Sequence, residues 1–298
     1  MDTEAARVEV APYRVDDGET FALERFPTAV TANYRDRGDY RKRMDAYRRA
    51  IRLWQRKLFA EGRHALLVVV QGMDAAGKNG LIRRVLGSVD PTGLQVWSFG
   101  PPTSKELRQD FMRRYHQYLP EFGSIAAFNR SYYEFALSAR IHPEWLTARG
   151  IDAAQAKNGR FWEQTYGTIQ AFEGYLQDNG IHVVKLMPHV SQQAQRQRLL
   201  DRLHKEDKRW KLTEADCEDA GRWDELAAAY DACIQGTATT KAPWFVLPGD
   251  DKRTARLLAA EAVLQKLEQL SPQWPDGLDG NNAAKRARIA AILNGGKI

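Results

Sequence analysis

The 298-residue sequence predicts an α/β fold with a five-stranded, mostly parallel sheet flanked by helices on both faces. Two observations carry this. Five short apolar runs, bounded by turn residues, alternate with stretches of helical period. The first run, Leu66 to Val70, empties into Gly72-Met73-Asp74-Ala75-Ala76-Gly77-Lys78, a glycine-bracketed turn that leads directly into a helix. The length suits one domain with appendages. We expect an arm over residues 1–39, a main domain over 40–270 and a tail over 271–298.

The arm mixes Pro12, Pro27, charges and scattered aromatics without a clear period, so it reads as an extended segment lying over the domain. Tyr40 to Ala60 is strongly helical, with Met44, Tyr47, Ile51, Trp54 and Leu58 on one stripe. Arginines and lysines from Arg41 to Lys57 surround it, as either a solvated face or a polyanion-binding one. After the glycine turn, Leu81, Ile82, Val85 and Leu86 mark a helix. Leu94 to Phe99 is a second strand, closed by Gly100-Pro101-Pro102. Thr103-Ser104-Lys105-Glu106 has the form of a capping box, and Leu107, Phe111, Tyr115 and Leu119 give the buried stripe of the helix it would open. Ile125 to Phe128 is a third strand. Phe161 to Leu176 is a long helix, and Ile181 to Met187 a fourth strand stopped by Pro188. Helices over Ser191 to Lys211 and Asp216 to Gln235 precede a last strand, Ala242 to Leu247, and a closing amphipathic helix, Asp251 to Leu270.

The chemistry is concentrated in the first turn. Two glycines five apart, followed at once by lysine, let backbone N–H groups curl around an anion while the ammonium reaches its outer oxygens. The backbone of Gly72, Ala75, Ala76, Gly77, Asn79 and Gly80 is the expected cradle, and the positive end of the helix from Lys78 adds to it. Two positions depart from the common pattern. Asn79 stands where a hydroxyl residue usually holds Mg2+, and a carboxylate, Asp74, lies inside the loop. A negative charge in an anion cradle is costly unless a cation intervenes. Asp74 therefore faces a metal ion or an incoming phosphate, or else caps the helix.

In an open parallel sheet the carboxyl ends of the strands form the ligand crevice. The third strand delivers Asn129-Arg130-Ser131-Tyr132-Tyr133-Glu134 there. Arg130 can present bidentate donors to phosphate oxygens or pair with a nearby carboxylate. Ser191 to Lys211 carries an excess of one sign, including Arg198, Arg202, Lys208 and Lys211. Arg198 and Arg202, four apart, share a helix face that could hang over the crevice as a lid, here placed at about residues 188–240.

Composition narrows the partners. The chain has 44 basic and 38 acidic residues, a net charge of +6, and the excess is clustered, which suits polyanions. The two cysteines, Cys217 and Cys233, lack ligand spacing, so neither a zinc site nor a disulfide framework is suggested, and a reducing cytoplasm is expected. No apolar stretch approaches the length of a membrane span, so no membrane association is expected.

With these residues in view, the sequence resembles the second family of polyphosphate kinases over roughly Tyr40 to Leu270. The resemblance rests on Gly72 to Lys78, Phe128 to Glu134, Lys208-Arg209-Trp210-Lys211-Leu212, Ala242-Pro243-Trp244, and Asp250-Asp251-Lys252 with Arg256. It implies a P-loop kinase fold similar to thymidylate kinase, with a helical lid before the last strand. It also implies reversible phosphoryl transfer between inorganic polyphosphate and nucleoside mono- or diphosphates, AMP and ADP with GMP and GDP as further purine candidates. By position, Asp74 would bind metal, Lys78 would be the loop cation and Arg130 a phosphate clamp, with Asn129, Arg198, Arg202, Lys208 and Lys211 contacting phosphates. Mg2+ or Mn2+ would be the cofactor, and a homo-oligomer, dimer or tetramer, is the expected assembly. Asn129 stands where much of the family has an aspartate, which resembles the subgroup called class three. It leaves Asp74 as the main anionic metal ligand.

Two other readings compete. An ATP-dependent nucleotide or small-molecule kinase of thymidylate kinase type would share the fold and the first loop but needs fewer lid cations. A nucleic-acid-binding protein could use the basic helix, although no recognition helix, aromatic platform or zinc finger accompanies it, so nucleic acid is not the expected partner.

Overall fold

The computed structural model describes residues 7–275 and 283–294. In chain order the elements are β1 (Arg14–Val15), α1 (Arg37–Glu61), β2 (Ala65–Val70), α2 (Lys78–Val85), β3 (Leu94–Ser98), α3 (Ser104–Leu107), α4 (Arg113–His116) and β4 (Ile125–Asn129). They continue with α5 (Tyr133–Ile141), α6 (Glu144–Thr147), α7 (Gly159–Asp178), β5 (Ile181–His189), α8 (Gln192–His204), α9 (Glu206–Arg209) and α10 (Glu214–Gly221). The last are α11 (Trp223–Thr237), β6 (Trp244–Pro248), α12 (Lys252–Leu270) and α13 (Ala283–Leu293). The basic tail patch, Lys285-Arg286-Ala287-Arg288, lies on α13.

The sheet has the order β1-β6-β5-β2-β4-β3. Five strands are parallel, and β2 lies between β5 and β4, buried along its whole length. Successive residues point to opposite faces. Leu67, Val69, Ala126, Phe128, Val183 and Met187 join the core under α5, α7 and α11. Leu66, Val68, Val70, Ile125, Ala127, Val184 and Leu186 join the core under α1, α2 and α12. Both faces are therefore dry, which is why the strands read as continuous apolar runs.

Local chemistry sets the boundaries. The Asp36 carboxylate accepts the Asp39 N–H to open α1, and Gly62, in a left-handed conformation, closes it. The stripe of Met44, Tyr47, Ile51 and Leu58 is buried as its spacing requires.

Five sequence expectations need correction. A sixth strand exists. β1, only two residues long, pairs antiparallel with β6, too short to leave a periodic signal, and the arm buries Val8, Val10, Phe21 and Leu23. The capping box forms, with Thr103 and Glu106 exchanging bonds, but its helix lasts one turn. The Asp110 carboxylate takes the Met112 N–H at 2.9 Å, a local alternative to the helical bond, and the chain restarts as α4. Pro188 does not stop the fourth strand, which runs on to His189. Pairing with β2 ends at Leu186, so on that side the missing N–H of Pro188 deprives no neighbour. The segment Asp216 to Gln235 is two helices broken at Arg222, and the basic run before it is likewise divided into α8 and α9. Finally, α12 is not amphipathic. Residues Leu257 to Leu264 are all buried, because the helix is enclosed by the sheet, α1 and α2.

Candidate active site

The parallel pairing of β2 with β4 brings the two informative loops together. Val70 sits beside Asn129 in register, and the Arg130 N–H donates to the Val70 carbonyl at 3.1 Å. Arg130 therefore emerges next to the glycine loop. The loop itself is tightly built. A side chain at Gly72 would lie 3.3 Å from the Pro188 ring, and Gly77 takes a φ of 102° that only glycine adopts freely. Ala75 and Arg130 also have positive φ, 59° and 66°, an unfavourable backbone for side-chain-bearing residues that recurs where function constrains geometry.

Lys78 is buried, and its ammonium folds back to donate to the carbonyls of Gly72 and Met73, the latter at 3.0 Å. It stands 3.8 Å from the Asp74 carboxylate. Arg130 holds Asp74 with one guanidinium nitrogen and Glu134 with another at 3.0 Å. Glu134 is fixed in turn by Gln71 and by Ser138 at 3.2 Å. The result is a chain of alternating charge across the crevice floor.

Burial, reinforced by the neighbouring Arg130 cation, lowers the Lys78 ammonium to about 8. Burial works against ionising Asp74, but Lys78, Arg130 and Arg202 together hold its carboxyl below the usual carboxylate range. The Glu134 carboxylate, more than Asp74, raises the Arg130 guanidinium further above its already high value.

The segment from α8 to α10, the lid expected from the sequence, packs on this floor. Leu199, Ala220 and Leu212 pack with Ala75, and the Gln195 amide donates to the Asp74 carbonyl at 3.2 Å. A cleft of about 470 Å³ remains, lined by Asp74, Ala75, Gly77, Lys78, Asn79, Gly80, Asn129, Arg130, Arg202, Lys208, Trp210, Lys211 and Asp216. Five of these residues are cations and two are carboxylates, so the space attracts a polyanion.

Most of the expected residues thus meet in one place, and three do not line the cleft. Gly72 and Ala76 lie behind the loop surface. Arg198 points inward, donating to the carbonyls of Ala75 and Ala76 at 3.2 and 3.3 Å and to those of Gly249 and Asp250 at 2.7 and 3.0 Å. Its guanidinium staples the lid to the loop and to the end of β6. It is not free to contact phosphate, because four backbone acceptors already occupy it.

Sequence reasoning missed Asp216, Trp210 and the supporting role of Glu134. Asp216 caps α10 with Thr213 and faces the cleft from the lid. Beneath the Arg130 turn lies a buried ion pair, Lys185 to Glu173 at 2.7 Å. Glu173 also accepts the Tyr132 and Tyr133 hydroxyls at 2.7 and 2.8 Å. A lysine within an apolar strand was the available signal, since such a charge needs a partner.

The donor set suits a hard divalent cation. Asp74 and Asp216 offer carboxylates, and the buried Asn129 Oδ1 has no hydrogen-bond partner among the described residues. Among the described residues no group of three or more His, Cys, Asp or Glu converges as a metal cage. A small cation held by one or two carboxylates and substrate phosphates needs none. Among the described residues no helix is long and apolar enough to cross a membrane.

Comparison with known proteins agrees with this geometry. The family model "Polyphosphate kinase 2" matches residues 34–275. The chain is 37% identical to an ADP-polyphosphate phosphotransferase of Rhodopseudomonas palustris over 270 residues, 91% of this chain and 93% of that protein. It is 38% identical to an AMP/ADP-polyphosphate phosphotransferase of Meiothermus ruber over 266 residues, 88% and 94% of the two chains. The crystal structure of polyphosphate kinase 2 from Arthrobacter aurescens TC1 superposes with a TM-score of 0.83 at 34% identity, covering 95% of this chain and 99% of that one. A kinase family of this kind implies a divalent metal requirement. With the loop, the crevice and the lid in place, the chain belongs to the polyphosphate kinase 2 family.

Proposed function

We propose that this chain is a phosphotransferase that moves phosphoryl groups reversibly between inorganic polyphosphate and nucleoside mono- and diphosphates. The observation that carries the reading is the cleft itself. Lys78 and Arg130 on its floor face Arg202, Lys208 and Lys211 from the lid across a space lined by few carboxylates. The similarity to proteins named for ADP and AMP/ADP transfer supports the adenine acceptors, and GMP and GDP are the further purine acceptors of this reading.

The chemistry follows from charge. The attacking terminal oxygen of the nucleotide is already ionised near neutral pH, so no general base is needed. The obstacle is repulsion between two polyanions. Lid cations and floor cations offset it and hold the reacting ends in line, so one phosphoanhydride bond forms as another breaks. Lys78 and Arg130 stabilise charge on the group in flight, and no covalent enzyme intermediate is required. Asp74, with Asn129 and Asp216 nearby, would hold Mg2+ or Mn2+, which when bound neutralises phosphate charge. Under this reading Arg198 positions the loop. Both cysteines, Cys217 and Cys233, are free; under this reading the enzyme is cytoplasmic and works as a dimer or tetramer.

The test is to offer ADP and AMP separately with polyphosphate or ATP as the only donor. Formation of ATP from ADP and polyphosphate supports the reading. Transfer from ATP alone would favour an ATP-dependent kinase of thymidylate kinase type.

A further inference from the structure

The basic helix α1 has no part in the cleft chemistry, yet its charge is continuous with the cleft through α2. Asn79 and Gly80, in the first turn of α2, line the cleft. Arg83 lies four residues beyond Asn79 and Arg84 four beyond Gly80, so each stands one turn further along the same face. Five residues of helix separate Lys78 from Arg83, a rise of roughly 8 Å. That is about one Debye length at physiological salt, so these arginines are largely screened from the reacting ends in the cleft yet stand next on the path of a chain that leaves it. Arg256 of α12 adds a cation at the start of this path, its Nη2 lying 3.1 Å from where a side chain on Gly80 would begin.

From the end of α2 the charge passes to α1. The Arg48 Nε donates to the Arg84 carbonyl at 2.9 Å, and the Ser88 hydroxyl donates to the Arg48 carbonyl at 3.3 Å, fixing the two helices together. Arg49, Arg52 and Arg56 follow at spacings of three and four residues, which is one stripe. All three are exposed, as are Arg83 and Arg84. Among the described residues the acidic neighbours are few. Asp45 is paired with Arg48 at 3.4 Å, and Asp90 lies in the field of Arg52 and Arg56.

We infer that the surface formed by Arg83, Arg84, Arg49, Arg52 and Arg56 is a second binding surface for polyphosphate, which holds the part of a long chain that extends beyond the cleft. The inference rests on the polyphosphate reading above. A flexible polyanion of uniform charge fits a surface of regularly spaced, exposed guanidinium groups, because it needs no shape beyond the spacing of charge. The consequence is a preference for long chains. A donor that reaches α1 is retained between transfers, as two linked sites raise the effective concentration at each. A donor confined to the cleft gains nothing.

The test compares wild type with Arg49→Glu/Arg52→Glu/Arg83→Glu, using ADP as acceptor and either tripolyphosphate or long-chain polyphosphate as donor. Arg49→Gln/Arg52→Gln/Arg83→Gln serves as the neutral counterpart, and thermal unfolding verifies the fold of both. For the charge-reversed variant, KM for the long chain should rise roughly tenfold, since each exposed contact is worth little alone and several act together. KM for tripolyphosphate and for ADP, and kcat with either donor, should change less than about twofold, because surface charges far from the reacting atoms leave the transition state alone. The neutral variant should fall between. Equal effects on short and long donors, or none on either, would overturn this inference while leaving the polyphosphate reading intact. A wild type that transfers nothing from polyphosphate of any length would overturn both. Salt-sensitive DNA binding that the substitutions abolish, with long-chain kinetics unchanged, would reassign the surface to nucleic acid.

Discussion

Arg130 and Asp74 meet as an ion pair across the crevice floor, one from the turn after β4 and the other from the loop after β2. The pair engages both groups. Incoming phosphate competes for Arg130 and an incoming cation competes for Asp74, so binding exchanges one set of partners for another.

For Arg130 the expected result separates charge from backbone. Arg130→Ala should lower kcat about a hundredfold or more, the loss typical of one preorganised transition-state donor. Arg130→Gly should be equally inactive. Because residue 130 holds a φ of 66°, the glycine variant should nevertheless be roughly 1 kcal/mol more stable than the alanine variant. Steady-state kinetics together with urea unfolding measure both. Substantial activity in either variant would remove Arg130 from the proposed machinery.

Lys78 makes the free enzyme sensitive to alkali. Its ammonium is lowered from 10.5 to about 8, so kcat/KM for polyphosphate should fall above about pH 8 as the cation is lost. Bound phosphate favours the protonated form, so the decline in kcat should begin at higher pH. The effect on stability has the opposite sense. Between about 8 and 10.5 the unfolded chain binds more protons at this position than the folded one, so the Lys78 contribution to stability increases as pH rises through that window. Pre-steady-state and steady-state profiles from neutral to alkaline pH test this. Profiles of kcat/KM that stay flat into the alkaline range would contradict it.

Removal of divalent cations with a chelator should abolish transfer, and Mg2+ or Mn2+ should restore it. Asp74→Asn should raise the Mg2+ concentration needed for half-maximal rate by more than about tenfold, given what even indirect supporting groups contribute to metal affinity. Titration of rate against free metal is the measurement. An unchanged midpoint would place the metal elsewhere.

The buried pair of Lys185 and Glu173 supports the Arg130 turn through Tyr132 and Tyr133. Glu173→Ala should cost about 3–5 kcal/mol, because it leaves Lys185 buried without its countercharge. Replacing both residues, as in Glu173→Leu/Lys185→Met, should cost markedly less. Denaturant midpoints of the single and double variants decide the point, and a double variant as unstable as the single would argue against an uncompensated charge as the cause.

Much of this arrangement was legible in the sequence, for physical reasons that differ by element. The parallel strands could be read because burial on both faces demands continuous apolar runs, as in Leu66 to Val70. The loop could be read because Gly72 and Gly77 answer backbone demands that other residues meet poorly. β1 could not, since two residues paired at a sheet edge carry no period. Pro188 misled because its missing N–H matters only where a partner strand is present. Arg198 and Arg202 show the limit of helix-face reasoning. A spacing of four gives a shared direction but not depth, and a small rotation divides them between loop carbonyls and open cleft. Asp216 reaches the cleft only through the fold of the segment that carries it, for which no local pattern exists.

The central claim is that one cationic cleft holds polyphosphate and a nucleotide end to end. Phosphorus NMR of wild type and Lys78→Ala, each incubated with ADP, polyphosphate and Mg2+, tests it most directly. In wild type the loss of phosphates from the polymer should equal the ATP formed, and the variant should show neither. Nucleotide phosphorylation without shortening of the polymer, or undiminished transfer by Lys78→Ala, would contradict the claim.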